Sequence, residues 1–344
     1  MGSTNSKPRP PKAVSEQPLE AQFRPPVPKK ILLLGTSDSG KSTVLKQIQS
    51  ISTGEIDSEH RSSWAEAIGQ NVRESIQHLI SRMEAHGVWF SHQATRDHAN
   101  TLSCLRPGFL PMHVAEIIRH LWHDTLTQNF VEAHRAEALL YDCSEHFLDK
   151  VVEIGRADYW PTDEDILRCR RVSTGISVWH GCMGSTLVDV CDVGGTRSER
   201  RKWSKCFDEA SVVLFCASLT DYSKALREEN QQSRFTDSLA VFEAIINSPN
   251  LQNARIMLLL TKSDIFSDQL AEVPLASFCS DFTAKPTTEN GIHYIRNRFM
   301  DLRHDRDRKI NTFVMNATNT DQVKRALSYI PGIVPEKVPD PYDL

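Results

Sequence analysis

The feature that most constrains the fold of this chain is a glycine-rich segment between an apolar run and a helical pattern. Residues 35–42 read Gly-Thr-Ser-Asp-Ser-Gly-Lys-Ser, which fits the pattern G-x-x-x-x-G-K-S/T. The preceding Ile31–Leu34 is continuously apolar, as in a strand buried on both faces. Such a loop turns its backbone N–H groups towards a phosphate at the positive end of a helix. The sequence therefore predicts a phosphate-binding loop, in which Lys41 reaches the outer phosphates and Ser42 offers its hydroxyl to magnesium.

Further along, the chain alternates between apolar runs and amphipathic stretches. Ser211–Ala217, Arg255–Thr261 and Ile310–Met315 are apolar runs typical of strands, and Phe235–Ile246 has helical spacing. Strands that alternate with helices pair in parallel, because the helix carries the chain back to the same edge of the sheet. The expected fold class is α/β with a mainly parallel sheet.

The pattern changes between residues 57 and 165, where apolar residues follow helical spacing and no strand is apparent. Val114–Ala136 and Ala138–Ile154 are two such stretches. This region is interpreted as an all-helical insert within the α/β domain. The expected boundaries are a proline-rich arm at 1–28, the α/β domain at 29–56 and 166–330, the helical insert at 57–165, and a proline-rich tail at 331–344.

A second strand, Leu187–Val193, ends in an acid and two glycines. Asp192 stands where a carboxylate can hold magnesium through water, and a glycine lets the backbone approach a terminal phosphate. The run 192–203, D-V-G-G-T-R-S-E-R-R-K-W, resembles the second switch segment of heterotrimeric G-protein alpha subunits, which reads D-V-G-G-Q-R-S-E-R-K-K-W. The resemblance extends over about residues 29–330. It implies a P-loop GTPase (Ras-like) domain that binds GTP or GDP with Mg²⁺.

The first switch is found by the same resemblance. Residues 167–175, L-R-C-R-R-V-S-T-G, are similar to the family's L-R-x-R-V-x-T-T-G. This implies that Arg170 is the arginine directed at the transition state, and that Ser173 joins Ser42 and Asp192 as a metal ligand. The implied nucleotide-binding residues are Asp38, Ser39, Gly40, Lys41, Ser42, Thr43, Cys143, Leu167, Arg168, Gly195, Thr261, Lys262, Asp264 and Ala317.

Guanine specificity in the family rests on N-K-x-D, and residues 261–264 read T-K-S-D. The resemblance implies that Asp264 accepts two hydrogen bonds from the base and that the Lys262 stem packs on its ring. Ala317 lies in M-N-A-T, where the family has T-C-A-T, and its backbone N–H would meet the guanine oxygen. Because Thr261 replaces the asparagine, we expect weaker base affinity with the preference for guanine kept.

Two departures from the family bear on catalysis. Thr196 occupies the place of the glutamine that orients the attacking water, and a threonine is too short and branched to reach it. Ser37 replaces a glycine, which adds a side chain where Arg170 and the glutamine would pack around the γ-phosphate. Both changes predict slow GTP hydrolysis by a site in which Arg170 and Thr196 hold the catalytic positions.

The ends of the chain also depart from the family. Seven prolines within residues 1–28 replace the N-terminal helix that contacts beta-gamma, and Pro331 with three later prolines limits the final helix, expected at Thr320–Ile330. The implied partners, a G-protein beta-gamma dimer, a seven-helix receptor and an effector, are therefore only partly transferable. Met1–Ser6 fits M-G-x-x-x-S/T, so Gly2 is a candidate for myristoylation and a lipid anchor.

Composition limits the other partners. A net charge of −4 gives no basic field, which argues against nucleic-acid binding. The eight cysteines contain no C-x-x-C pair, as expected for reduced thiols in the cytoplasm. The apolar runs are too short to span a bilayer, so we expect a cytoplasmic protein that reaches the cytoplasmic face of the plasma membrane through a lipid anchor.

Two alternatives to a signalling switch stay open. The first is a non-catalytic scaffold or decoy of the same fold that binds nucleotide weakly, since a fold does not guarantee a function. The second is a metabolic P-loop kinase, which is less favoured because nothing resembling an acceptor site accompanies the phosphate loop.

Overall fold

The computed structural model describes residues 27–56, 61–90, 93–103, 110–171, 173–224 and 232–332. The expectations for Gly2, for the proline-rich arm up to residue 26 and for the tail beyond Gly332 lie outside these residues. The described residues form six strands, at Lys29–Gly35 (β1), Ile176–Met183 (β2), Thr186–Val193 (β3), Ala210–Ser218 (β4), Arg255–Thr261 (β5) and Ile310–Val314 (β6).

The helices of the described residues fall into two groups. Those that flank the sheet are Lys41–Thr53 (α1), Arg197–Arg200 (α9), Arg234–Ile246 (α10), Ser263–Glu272 (α11), Thr288–Met300 (α12) and Thr320–Leu327 (α13). Those between α1 and β2 are Arg61–Ala85 (α2), Gln93–Ser103 (α3), Met112–Trp122 (α4), Thr125–Ala138 (α5), Ser144–Asp149 (α6), Val151–Ile154 (α7) and Asp163–Arg168 (α8). We call α2 to α8 the helical region and the remaining elements the sheet region.

The six strands form one sheet in the order β2-β3-β1-β4-β5-β6. Every neighbouring pair is parallel except β2 and β3, which are antiparallel. The α/β fold with a mainly parallel sheet is thus confirmed. β2 was not expected, because its sequence ISVWHGCM lacks the continuous apolar run of a buried strand. In the structure most of its side chains are exposed.

Both faces of the central strands are buried. Along β1 the side chains of Ile31 and Leu33 join one apolar cluster with α1 and α13, while Leu32 and Leu34 join another with α10 and α12. This alternation follows from the two-residue period of a strand. It explains why the buried strands are continuously apolar, and it fixes the end of β1 where the phosphate loop starts.

The helical region has an apolar core of its own, which runs from Ile56 to Cys169 along the chain. Its helices differ from the expected ones. The stretch Val114–Ala136 is not one helix, because α4 ends at Trp122 and Asp124 caps the start of α5, where its carboxylate accepts a hydrogen bond from the N–H of Leu126.

Two other helix boundaries were also wrong. The stretch Ala138–Ile154 is irregular over residues 139–143 before α6 and α7, and those five residues form part of the site. The last helix, expected at Thr320–Ile330, ends at Leu327. No helix of the described residues is long and apolar enough to cross a membrane.

Candidate functional site

The loop after β1 contains residues with positive φ angles and a glycine that no other residue could replace. Asp38 and Gly40 have positive φ angles of 59° and 92°. A Cβ atom on Gly35 would lie 2.3 Å from the carbonyl oxygen of Cys216 on β4, so only glycine fits there. No side chain caps α1 at Gly40, which leaves the first N–H groups of the helix facing the loop. The arrangement suits an anion at the start of α1.

Lys41 is the first residue of α1, and its side chain contacts the backbone of this loop. Its side chain is buried, and its ammonium donates to the carbonyl oxygen of Thr36 at 2.7 Å. Burial lowers the pKa of Lys41, while the carboxylate of Asp192 opposes that shift. An anionic ligand beside the ammonium would favour its charged form further.

Three side chains expected to hold a metal meet next to Lys41. The Ser42 and Ser173 hydroxyls are 3.0 Å apart, and they lie 3.5 Å and 3.4 Å from Oδ2 of Asp192. The other carboxylate oxygen of Asp192, Oδ1, is buried without a hydrogen-bond partner among the described residues. Burial raises the pKa of Asp192, although the neighbouring Lys41 opposes the shift. A buried, unsatisfied carboxylate oxygen beside two hydroxyls fits a hard cation such as Mg²⁺.

Two of the arginines that line the cavity, Arg170 and Arg234, share one carboxylate. Nε of Arg170 lies 2.6 Å from Oδ1 of Asp38, and its guanidinium carbon is 4.8 Å from the ring centre of Tyr141. Arg234, on α10, donates to Oδ2 of Asp38 and to the carbonyl oxygen of Ser37, both at 3.0 Å. Asp38, which is part of the phosphate loop, thus holds the Arg170 side chain next to that loop. Arg234 was not among the expected site residues.

The second-switch residues approach the loop from β3. A Cβ atom on Gly195 would lie 2.7 Å from the carbonyl carbon of Thr36 and 2.8 Å from the carbonyl oxygen of Gly35, so this close approach to the loop backbone requires a glycine. Thr196 precedes α9, and its hydroxyl lies 3.2 Å from the hydroxyl of Ser198 within the same turn. The Trp203 indole N–H donates to the carbonyl oxygen of Gly194 at 2.9 Å, which ties the far end of the segment to β3.

The opposite end of the cavity is formed by the ends of β5 and β6. Thr261 is fully buried and donates to the carbonyl oxygen of Ser39 at 2.9 Å, which links this end to the phosphate loop. Lys262 follows with a φ of 63°, and Asp264 is exposed in the first turn of α11. The amide of Gln47 on α1 donates to the carbonyl oxygen of Ala317 at 3.2 Å and holds that loop in place.

These parts enclose one cavity of about 860 Å³, within the usual range for small-molecule sites. Asp192 lies beneath it, linked through Ser42, and Gly2 is outside the described residues. The other expected residues all line it, namely Asp38, Ser39, Gly40, Lys41, Ser42, Thr43, Cys143, Leu167, Arg168, Arg170, Ser173, Gly195, Thr196, Thr261, Lys262, Asp264 and Ala317.

Several charged or aromatic residues that no motif predicted also line the cavity. Among them are Tyr141, Asp142, Lys224 and Arg234. Asp142 and Tyr141 lie in the irregular segment that was interpreted as helix, and Lys224 follows β4 at a distance from any motif. The position of Lys224 a few residues after a parallel strand could have indicated that it lines the cavity, since ligands bind at that edge of such sheets.

Similarity to known proteins extends over most of the chain. Residues 8–334 match the family described as G-protein alpha subunit. The chain is 34% identical over 309 residues to the guanine nucleotide-binding protein alpha-1 subunit of Mycosarcoma maydis, covering 89% of this chain and 87% of that protein. It is 35% identical over 272 residues to the alpha-9 subunit of Dictyostelium discoideum, covering 78% and 79%. The alpha-1 subunit of Neurospora crassa is 31% identical over 309 residues, covering 89% and 87%.

Proposed function

This chain belongs to the G-protein alpha subunit family and is a guanine nucleotide-binding signalling subunit, and from this premise we propose that it is a GTP/GDP switch with slow hydrolysis. The observation that carries the proposal is the cavity at which the phosphate loop, both switch segments and the T-K-S-D segment meet. In such a switch the γ-phosphate orders the two switch segments, and its loss releases them.

Magnesium is part of the proposal. Ser42, Ser173 and Asp192 are the residues that would hold it, and the unsatisfied Oδ1 of Asp192 supports that assignment. When bound, Mg²⁺ neutralises charge on the β- and γ-phosphates. Replacement of the family's threonine by Ser173 keeps the hydroxyl that the metal needs.

Slow hydrolysis is proposed from the positions of Thr196 and Ser37. The Thr196 side chain has no amide to orient a water, and its hydroxyl lies against Ser198 in its own turn. Ser37 lines the cavity, and its carbonyl oxygen is fixed by Arg234. Arg170 is retained, and the family template assigns such an arginine about 10³ to 10⁵ in rate when its water-positioning partner is present. Without that partner, the GTP-bound state should persist.

The proposed partners follow from the family. They are guanine nucleotide, a beta-gamma dimer, a seven-helix receptor and an effector, at the cytoplasmic face of the plasma membrane if Gly2 carries a lipid. One acyl chain binds a membrane only marginally, so the basic residues of the arm would have to contribute a second signal.

Calorimetric titration of the full chain with GTPγS and with GDP, in magnesium, tests the nucleotide switch. We expect saturable binding of both nucleotides with dissociation constants well below about 1 mM. Binding weaker than that for both nucleotides would reject the switch and favour the scaffold or decoy function. Repeating the titration in EDTA tests the metal assignment, because loss of Mg²⁺ should weaken GTPγS more than GDP.

A further inference from the structure

The end of the described chain is held against the sheet instead of continuing along the axis of α13. The carbonyl oxygen of Pro331 accepts a hydrogen bond from Nζ of Lys29 at the start of β1. The carbonyl oxygen of Gly332 accepts one from the hydroxyl of Thr186, the first residue of β3. Residues 333–344 therefore leave the described fold beside the turn that joins β2 to β3.

β2 lies next to this exit and is an edge strand of the sheet, with β3 as its neighbour. Its sequence, ISVWHGCM, contains no Asp, Glu, Lys, Arg or Pro, which are among the residues that protect the edges of natural sheets. One face of the strand also carries Ile176 and Val178, which are 39% and 44% exposed. A long edge of this kind is a template for pairing with another extended segment.

The backbone groups of β2 that face away from β3 belong to alternate residues. The carbonyl oxygen of Cys182 accepts from the hydroxyl of Ser52 near the end of α1, so it points away from β3. Since the N–H and C=O groups of successive residues alternate between the two edges of a strand, those of Ile176, Val178 and His180 point to the same outer edge. These three residues thus offer donors and acceptors to a further strand.

The chain beyond Gly332 starts at the right place and has the right length to pair with this edge. Neighbouring strands lie about 4.8 Å apart, so a strand added beside β2 would lie about 10 Å from β3, a distance that three extended residues span. Residues 336–344 then remain, against the eight residues of β2. They would run from Met183 towards Ile176, antiparallel to β2.

The prolines of this segment all occupy odd-numbered positions, Pro335, Pro339 and Pro341. Because successive N–H groups of a strand alternate between its edges, the missing donors would all lie on one edge. The even-numbered residues Val338, Asp340 and Tyr342 would keep a complete row of N–H groups on the other edge. An edge strand tolerates proline in this arrangement, with the missing N–H facing away from its neighbour.

We propose that residues 336–342 form a further strand, antiparallel to β2, in which Val338 lies opposite His180 and Tyr342 lies opposite Ile176. Residues directly opposite each other share a face of the sheet, so the apolar side chains of the added strand cover the exposed face of β2. Because Ile176 directly follows the first-switch segment, the added strand ends beside that switch. The inference goes beyond the proposed function and needs no bound nucleotide.

Proline substitution in the full chain tests the pairing. Val338→Pro removes an N–H that faces β2, whereas the neighbouring Lys337→Pro removes one that faces away. In residue-resolved amide hydrogen exchange, Val338→Pro should speed exchange at Val178 and His180 by at least about fivefold, because edge hydrogen bonds are lost. Lys337→Pro is the matched control and should exchange like the parent. Equal exchange in the parent and both variants overturns the added strand, as does equal acceleration by both prolines.

An introduced cysteine identifies which segment pairs with β2. Glu336 would lie opposite Cys182, whose side chain is exposed, so Glu336→Cys should form an intramolecular disulfide when the full chain is treated with glutathione disulfide. Lys337→Cys directs its thiol to the other face and should not. Mass spectrometry of an unreduced digest locates the bond.

Three results of this experiment overturn the proposal. A disulfide that links two copies of the chain assigns the edge of β2 to a second copy. Equal bonding from positions 336 and 337 shows that no register is fixed. Absence of the bond in Glu336→Cys shows that the segment does not lie along this edge.

Discussion

The two ends of the cavity are built differently, although they meet over one ligand. At the phosphate end, the backbone of one short loop and the buried Lys41 and Asp192 come from the sheet region alone. At the base end, the exposed Asp264, the Lys262 side chain and Asp142 come from separate segments and from both regions. Binding at the phosphate end is thus a property of local structure, and binding at the base end depends on how the regions close. Substitutions should accordingly have larger effects at the phosphate end.

Lys41→Ala probes the phosphate end and should have the largest effect. Its ammonium is the flexible cation that the loop directs at the outer phosphates, and an uncompensated triphosphate in a buried site is costly. We expect GTPγS to bind at least about 100-fold more weakly, as when one partner of a buried charge pair is removed. Calorimetry measures this, with Lys285→Ala as the control. Parent-like affinity would mean that the loop does not bind phosphate and that the two ends do not differ as described.

Asp264→Asn probes the base end and should have a smaller, selective effect. The carboxylate only accepts hydrogen bonds, whereas an amide brings donors to face the donors of guanine. We expect the preference for GTP over ATP to fall by about 30-fold, less than for a fully buried site because Asp264 is exposed. Competition of both nucleotides against labelled GDP provides the readout. Asp268→Asn, on the same helix and also exposed, is the matched control, and an unaltered preference in Asp264→Asn would contradict its role.

The two departures from the family that bear on catalysis, Ser37 and Thr196, lie at the phosphate end. Restoring the family residues there tests whether the rest of that end can support hydrolysis. Ser37→Gly with Thr196→Gln should restore both the space near the γ-phosphate and the amide that orients water. We expect at least about tenfold faster single-turnover hydrolysis of GTP, a fraction of what such groups contribute. Each single change should give less, because either the Ser37 side chain or the unoriented water would remain.

Phosphate release from preloaded protein measures this gain. A double variant that binds GTP tightly yet hydrolyses it as slowly as the parent would show that the switches do not close around the γ-phosphate. That outcome would favour the scaffold or decoy function over the slow switch.

The same contrast explains what the sequence could predict. The buried strands β1, β4 and β5 and the phosphate loop were all expected, because a doubly buried strand and a glycine-rich loop leave a continuous local pattern. The break between α4 and α5 was missed, although Asp124 is a common helix-capping residue. There the helical spacing on both sides masked a two-residue interruption.

Contacts between distant segments had no such pattern. Asp142 and Lys224 are 82 residues apart, and Arg234 is 196 residues from Asp38. Each is an ordinary polar residue in its local sequence, and only the folded chain brings it to the cavity. The motif residues could be predicted because each motif is a short run of neighbouring residues. The charged residues that link the motifs could not be predicted, because their partners are distant in the sequence.

The smallest predicted effect concerns Thr261, whose buried hydroxyl connects the two ends. It donates to the carbonyl oxygen of Ser39 at 2.9 Å, and the carbonyl oxygen of Ala217 lies 3.3 Å away. Thr261→Val keeps the shape but removes the donor, which leaves a buried acceptor on the phosphate loop unsatisfied. We expect GDP to bind about three to five times more weakly, as for loss of one neutral hydrogen bond.

Thr261→Ser separates this link from simple packing, because it restores the donor while removing a methyl group. If the hydroxyl transmits the position of the phosphate loop to the base end, the serine variant should bind GDP like the parent although its unfolding temperature falls. If Thr261 acts only by filling space, the valine variant should bind normally and the serine variant should be the weaker one. Calorimetry and thermal unfolding on the same three proteins decide between these results. Normal binding by the valine variant would mean that the two ends are positioned independently, each by its own segment.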